Sequence, residues 1–278
     1  MKFSLVMATL GRSVEVERLF GTLANQSYKD FELIVIDQND DDRVSRLVTQ
    51  FSDCLKIVYL RSEKGLSRAR NVGLRHVSGD VVCFPDDDCW YRPDVLEYVA
   101  RRFKAEPALY GLTGCSVDAG GVPSQGRWAT EQLVVDRYNV WTCATSYTIF
   151  LRASAVRQAG KFNELLGVGS GSRWGAGEEV NYLLGVINKD MRVCYDPKLR
   201  IFHPEPLLVM DEKAFARATL YNRGFGRVLG LNAYPTYFVF YLISRSVAGW
   251  AVSLAKFNFK RARYYWIAAS QRYLGWRD

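Results

Sequence analysis

Along the first hundred residues, short unbroken apolar runs alternate with stretches whose apolar positions recur every three or four residues. Phe3–Ala8 reads as a buried strand. Ser13 stands where a helix cap belongs, ahead of an amphipathic stretch from Val14 to Asn25 that carries Glu15 and Glu17 in its first turn. "FELIVID" predicts the next strand and Asp42–Phe51 the next helix. "KIVYL" predicts a third strand, Leu66–His76 a helix, and "DVVCF" a fourth strand. Pro93 then opens a helix over Pro93–Ala105, with proline in the first turn.

Strands that are apolar throughout and alternate with helices imply an α/β fold: a mostly parallel, Rossmann-like central sheet with helices on both faces. Ligands of such sheets bind beyond the carboxyl ends of the strands. Three polar clusters, Thr9–Arg12, Asp37–Asp40 and Asp86–Asp88, each end a predicted strand and so share one rim. From about Tyr110 to Met210 the pattern is less regular, and glycine-rich pieces such as "GVGSGSRWGAGEE" interrupt short apolar segments. That stretch is expected to supply a second wall and loops to the same compact unit.

The character changes after Met210. Ala214, Ala218, Tyr221, Phe225 and Val228 recur at helical spacing, and "YFVFYLISRSVAGWAVSLA" follows. The second stretch is nearly long enough to span a bilayer, but Arg245 sits in its middle. An arginine there costs about 2.5–3.5 kcal/mol on insertion scales. Charge sharpens the picture. Residues 211–278 hold 11 Lys/Arg against 3 Asp/Glu, whereas residues 1–210 hold 26 of each, so the net +8 belongs to the tail. A basic, aromatic-rich, amphipathic helical tail suits an anionic membrane surface. The alternatives are packing on the domain, a homo-oligomer formed through the tail, and a true span.

Composition adds mainly exclusions. The six cysteines form no CxxC pair, and two histidines rule out a His-rich metal site. The first apolar run ends in Gly11-Arg12 without a small-residue cleavage site, so it reads as a strand and not as a signal peptide. The basic residues of the tail belong to no nucleic-acid module, and no nucleic-acid partner is expected.

The chemistry concentrates at "FPDDDCWY". Adjacent carboxylates raise one another's pKa unless something positive neutralises them. A divalent cation does so, and oxygen ligands suit Mg2+ or Mn2+. The local carboxylates are too few for a full cage, which leaves positions open to water or to the phosphates of a ligand.

In order along the chain, "FSLVMATLGR", "ELIVIDQND", "GLSRARNVGL", "DVVCFPDDDCWYRPD", "AGKFNELLG" and "WGAGEEVNYLL" resemble the family 2 glycosyltransferases of the GT-A fold, over about residues 3–205. The resemblance implies inverting transfer of a sugar from a nucleotide diphosphate, most simply a UDP-sugar, to a hydroxyl of a glycan or lipid-linked acceptor. It implies that Thr9 and Arg12 line the nucleoside pocket, that Asp37 meets the base, and that Arg70 approaches the nucleotide. Asp86 and Asp88 become the outer members of a DxD motif, the first toward the ribose and the last on the metal, with Asp87 supporting either. His203 matches a histidine that reaches the metal or pyrophosphate. Glu179 matches the catalytic base, with Glu178 as the alternative, and Trp174 would stack on an acceptor sugar. The chain departs from the family pattern in having Gln38, Glu179 and Asn181 where acids, an aspartate in the second case, are usual.

The expected organisation is a nucleotide-sugar-binding half over 1–105, an acceptor-binding half over 106–210, and a membrane-associating tail over 211–278. The expected place is the cytoplasmic side of the cell membrane, held peripherally. Two rivals remain at this point. One is a catalytically inactive scaffold of the same fold. The other is a sugar nucleotidyltransferase, which would want a Gly-rich phosphate loop where "MATLGR" has one glycine.

Overall fold

A computed structural model of the chain describes residues 1–205 and 209–278. It divides into two compact units. The first comprises Met1–Lys64, Arg68–Phe162 and Tyr182–Pro206; the second comprises Gly65–Ser67, Asn163–Asn181 and Leu207–Asp278.

The first unit is built on one sheet. Its strands are β1 (Phe3–Thr9), β2 (Phe31–Asp37), β3 (Ile57–Arg61), β4 (Val81–Cys83), β5 (Gly111–Val117), β6 (Leu133–Val134), β7 (Ile149–Arg152) and β8 (Val193–Phe202). Their order is β3-β2-β1-β4-β7-β5-β8-β6. β1 to β4 pair in parallel, β7 is antiparallel to both its neighbours, β5 and β8 pair in parallel, and β6 closes the edge antiparallel to β8. The sheet is mixed and mostly parallel, as the alternation predicts. β7, which inserts between β4 and β5, comes from the irregular stretch where no periodicity announces it.

The helices of the first hundred residues are α1 (Val14–Ala24), α2 (Arg43–Gln50), α3 (Leu66–Leu74) and α4 (Val95–Ala105). Two details of their ends differ from expectation. Ser13 occupies the cap position of α1, but only its carbonyl is used, accepting from the Glu17 N–H at 2.8 Å. Pro93 lies before the Asp94 cap of α4, not in its first turn. Its carbonyl is instead engaged by the Ser27 N–H at 2.8 Å, which ties this backbone to the segment after α1.

Every residue of β1 and β2 is buried, including Glu32. This carboxylate is tolerated because Lys2 Nζ (2.6 Å), Ser4 Oγ (2.6 Å), Ser78 Oγ (2.8 Å) and the Ser78 N–H (3.0 Å) all donate to it. Burial lifts its pKa, but these donors outweigh burial and hold it at about 2. A depressed carboxylate pKa gives stability that is present above the unfolded value and lost as pH falls through the folded one. Glu32→Gln should therefore unfold about 3 kcal/mol more easily at pH 7, the linkage cost of losing a carboxylate held so far below its ordinary value. The deficit should shrink below pH 4.5 and vanish near pH 2 in urea titrations.

Between β7 and β8 the chain forms α5 (Ala153–Ala159) and α6 (Glu178–Ile187). The second unit holds α7 (Glu212–Leu231), α8 (Thr236–Ala255) and α9 (Phe259–Arg277). The sequence pattern predicts the first two; α9 is additional. It packs along both others, most closely along α7. Glycines make that approach possible. A Cβ at Gly226 would collide with the Arg272 carbonyl oxygen, and one at Gly275 with that of Arg223. Gly275→Ala should cost about 3 kcal/mol, the upper end for overpacking, because backbone cannot step aside. Gly21, also helical but with open space around it, is the control, and Gly21→Ala should be neutral or slightly stabilising in the same denaturation curves.

Candidate active site

The carboxyl ends of β1, β2 and β4 lie on one rim of the first unit. A bridge between Ala8 and Asp86 continues the β1–β4 register three residues past β4 and seats the aspartate turn against the end of β1. Trp90 then exchanges backbone hydrogen bonds with Phe202, at 3.0 and 3.1 Å, and the two rings stack with centroids 5.4 Å apart. This junction brings His203, the residue after β8, to the aspartates.

Each carboxylate has its own partners. Asp86 Oδ1 accepts from Arg70 Nη2 at 3.0 Å and Ser146 Oγ at 2.9 Å. Asp87 accepts from Thr9 Oγ1 at 2.7 Å and forms an ion pair with Arg12. Asp88 meets Arg12 Nη2 at 2.8 Å through one oxygen and His203 Nε2 at 3.1 Å through the other. Two arginines and a histidine thus offset the repulsion that three adjacent acids would otherwise feel.

Burial pushes the Asp87 carboxyl up despite Arg12 and Thr9. Burial also works to lift Asp88, but the His203 hydrogen bond and charge, with Arg12, prevail and hold it below the usual range. Burial works to lower His203, and Asp88 overcomes it, so the imidazole pKa is raised. The stabilisation from the lowered Asp88 is lost as pH falls through its folded value. That from the raised His203 is lost as pH rises through its folded value. The pair therefore contributes fully only between the ordinary carboxylate and ordinary imidazole ranges.

His203 is set up for a further role. Its Nδ1 lies 2.7 Å from the Pro204 carbonyl oxygen, which can only accept, so Nδ1 carries a proton. When the ring is neutral, Nε2 offers its lone pair toward Asp88. The ring is held flat against Tyr147, with centroids 4.7 Å apart. Ligand atoms of Asp86, Asp88 and His203 all lie within 4.8 Å of one another. Two carboxylates and one imidazole form a donor set that Mn2+ or Mg2+ accepts, with positions left for water or phosphate oxygens. The residues fit such a cation.

The other rim residues lie in the same unit. Asp37 is fully buried; Oδ1 accepts from the backbone and side-chain N–H groups of Asn39 at 2.9 and 2.7 Å, and Oδ2 from the Tyr59 hydroxyl at 2.7 Å. The Asn39 side-chain oxygen accepts from the Gly11 N–H at 2.6 Å, which links the ends of β1 and β2. Arg70 is 1% exposed, with its guanidinium 5.5 Å from the Phe162 ring centroid.

Glu178, Glu179 and Trp174 belong to the second unit. Glu178 is buried and Glu179 half-buried at the start of α6. Gly167 adopts a positive φ of 99°, and a Cβ there would come within 3.0 Å of the Glu178 carboxyl. Trp174 donates from Nε1 to Asp278 at 2.8 Å, and the Arg227 guanidinium lies 4.7 Å from its ring centroid.

Several contributors escape the sequence reading. Ser146 and Tyr147 sit on a single 3-10 turn at Ser146–Thr148, in a stretch with no periodicity to place it. Arg18 donates to the Asp88 carbonyl oxygen at 2.6 Å and covers the Trp90 ring at 4.0 Å. Its signal is a cation on α1, the helix that leaves the rim. Tyr59 is a strand tyrosine two residues before the end of β3, one step from the rim.

The family model for glycosyl transferase family 2 matches residues 4–157, more than half of the chain. The chain belongs to glycosyl transferase family 2. Glycosyltransferase AglE of Haloferax volcanii is 22% identical over 188 residues, covering 62% of this chain and 59% of that protein. The chain spans less than two thirds of the length of the curated relatives it matches first, 15% and 36% in two cases. Among solved structures, S. aureus TarS 1-349 in complex with UDP-GlcNAc aligns with a TM-score of 0.64 at 15% identity, over 98% of this chain and 92% of that one. Mannosyltransferase PcManGT of Pyrobaculum calidifontis, with GDP-Man and Mn2+, aligns with a TM-score of 0.64 at 14% identity, over 98% and 86%. These likenesses establish a GT-A-like α/β fold for this member of the family.

Proposed function

We propose that this family 2 member is an inverting, metal-dependent glycosyltransferase that moves a sugar from a nucleoside diphosphate, a UDP-sugar in the first instance, to a hydroxyl of a glycan or lipid-linked acceptor. The observation that carries the reading is the Asp86–Asp88–His203 group on the sheet rim. The UDP-GlcNAc of one structural neighbour and the GDP-Man and Mn2+ of another agree with it.

Bound by Asp86, Asp88 and His203, Mg2+ or Mn2+ would stabilise charge on the departing diphosphate. The chain's own groups do the rest. Thr9 and Arg70 fix Asp87 and Asp86, so the carboxylates face the ligand without reorganising. Arg12 carries a guanidinium able to turn from Asp87 and Asp88 to a phosphate. Asp37 shapes the base end of the pocket through Asn39 and Tyr59. Glu179 takes the proton of the acceptor hydroxyl as general base, Glu178 supports it, and Trp174 offers a ring to an acceptor sugar. One base without an enzyme nucleophile gives inversion. Residues 1–105 would serve the donor, 106–210 the acceptor, and 211–278 attachment at the cytoplasmic face of the membrane.

Calorimetric titration with UDP, GDP and dTDP, with and without Mn2+, tests the reading. Mn2+-dependent binding of one nucleotide is expected, UDP first. If all three fail to bind with metal present, the donor assignment is wrong.

A further inference from the structure

α8 turns several of its large aromatic and aliphatic side chains away from the protein. Its exposed positions are Thr236, Tyr237, Phe240, Tyr241, Ser244, Arg245, Val247, Ala248, Ala251, Val252 and Ala255, at successive steps of one to three. They form a single stripe along one face. Tyr237, Phe240 and Tyr241 are each at least half exposed, while Ser246 and Ser253 are buried. Among the described residues α8 is also the one helix long and apolar enough to cross a membrane. The stripe continues into Phe257, Phe259 and Trp266, all more than half exposed.

Among the described residues, neither Arg245 nor Arg272 is ion-paired with a tail acid. The three acids of the tail are committed elsewhere: Asp211 caps α7 through the Ala214 N–H at 2.8 Å, Glu212 pairs with Arg263 at 2.5 Å, and Asp278 with Arg223 at 2.8 Å. Arg272 of α9 is held by neutral groups, donating to Asn222 Oδ1 at 2.8 Å and to the Leu242 carbonyl oxygen at 3.0 Å. The Asn222 amide is itself fixed by donating to the Ala218 carbonyl at 2.8 Å. Burial, and after it the charge of Arg245, lowers Arg272 to about 10. Arg272 is thus satisfied inside the bundle, whereas Arg245, exposed on an apolar aromatic face with its guanidinium 5.9 Å from the Tyr241 ring centroid, is placed to meet an anion from outside the chain.

We infer that Arg245 binds the phosphate of an anionic lipid, and that the α8 stripe around it is the surface laid on the bilayer. This inference rests on the membrane attachment proposed above and specifies the group that is recognised. Aromatic side chains suit the headgroup level, and the bidentate arginine fork suits phosphate. Arg245 at mid-helix, costly in a spanning segment, is well placed in an interfacial one.

The test is flotation of the full chain with vesicles of phosphatidylcholine alone and of phosphatidylcholine with phosphatidylglycerol. The chain should prefer the anionic vesicles, and Arg245→Gln should weaken that binding about fivefold, the effect of one cation near an anionic surface. Arg245→Lys, which keeps charge but not the fork, should recover only part of it. Unchanged helix content by circular dichroism and unchanged urea denaturation show that each variant is folded. Equal binding to both vesicle types, unaltered in Arg245→Gln, overturns the phosphate site and leaves attachment standing. No binding to either overturns both. Stabilisation by free phosphate that is lost in Arg245→Gln, with vesicle binding indifferent to Arg245, assigns this arginine to a soluble anion and overturns the lipid. A dimer that hides the stripe and ignores vesicles overturns it in favour of a second copy.

Discussion

Asp88→Asn is expected to abolish the Mn2+ dependence of nucleotide binding and to lower kcat by about 10³-fold, as loss of an electrostatic group acting on transition-state charge does. The substitution is nearly isosteric, and the Arg12–Asp87 ion pair survives it, so the turn should keep its shape. His203 would lose the partner that raises its pKa. The stability of Asp88→Asn should then lose the part of its pH dependence that runs through the imidazole range. Asp87→Asn gives the contrast. It breaks contacts to Thr9 and Arg12, both of the β1 end, and so should cost stability before chemistry. Metal-dependent nucleotide binding that persists in Asp88→Asn would remove this carboxylate from the cation site.

The second large effect is expected at the start of α6. Glu179→Gln keeps the shape of the side chain and removes its basicity, so kcat should fall by about 10²–10⁴-fold with donor KM little changed. Glu178→Gln should behave differently. Glu178 is buried and closely approached by Gly167, which only a glycine's missing side chain allows. Its replacement should lower stability more than turnover. Equal losses of kcat with intact folding would make the pair act together; the reverse order would transfer the base to Glu178. Steady-state kinetics with each variant decides among these outcomes.

The rim clusters were legible because physics leaves few alternatives. Runs such as "FELIVID" are buried on both faces, and that occurs only in a helix-covered, mostly parallel sheet. Once the strands are placed, polar residues just past their ends must converge. The roles within a cluster were less legible. Nothing in "DDD" tells that the middle aspartate turns to Thr9 and Arg12 while the outer two face His203. That depends on the Trp90–Phe202 junction, a contact more than a hundred residues apart in sequence. Ser146 and Tyr147 were invisible for the same reason. In the tail, amphipathicity was readable but its sense was not. On α8 Ser246 and Ser253 face inward while Tyr237, Phe240 and Tyr241 face outward, so the pattern alone could not say which face the protein keeps. α9 carries small residues at its contact positions, Ala262, Ala268, Ala269 and Gly275, which yield no apolar stripe to find.

The packing of α9 along both α7 and α8 has a consequence for synthesis on the ribosome. The Gly226 backbone is closely approached by the Arg272 carbonyl oxygen, so the packing against α7 cannot be completed until Arg272 has been made. At roughly 5–20 residues per second, that interval lasts a few seconds. Through it α8 is already out, with its aromatic side uncovered and its third helix missing. A lipid surface within reach could hold α8 during that delay, and α9 would then close the bundle behind it. The nascent chain would in that case meet its membrane before its fold is finished, and release into water would be the slower alternative.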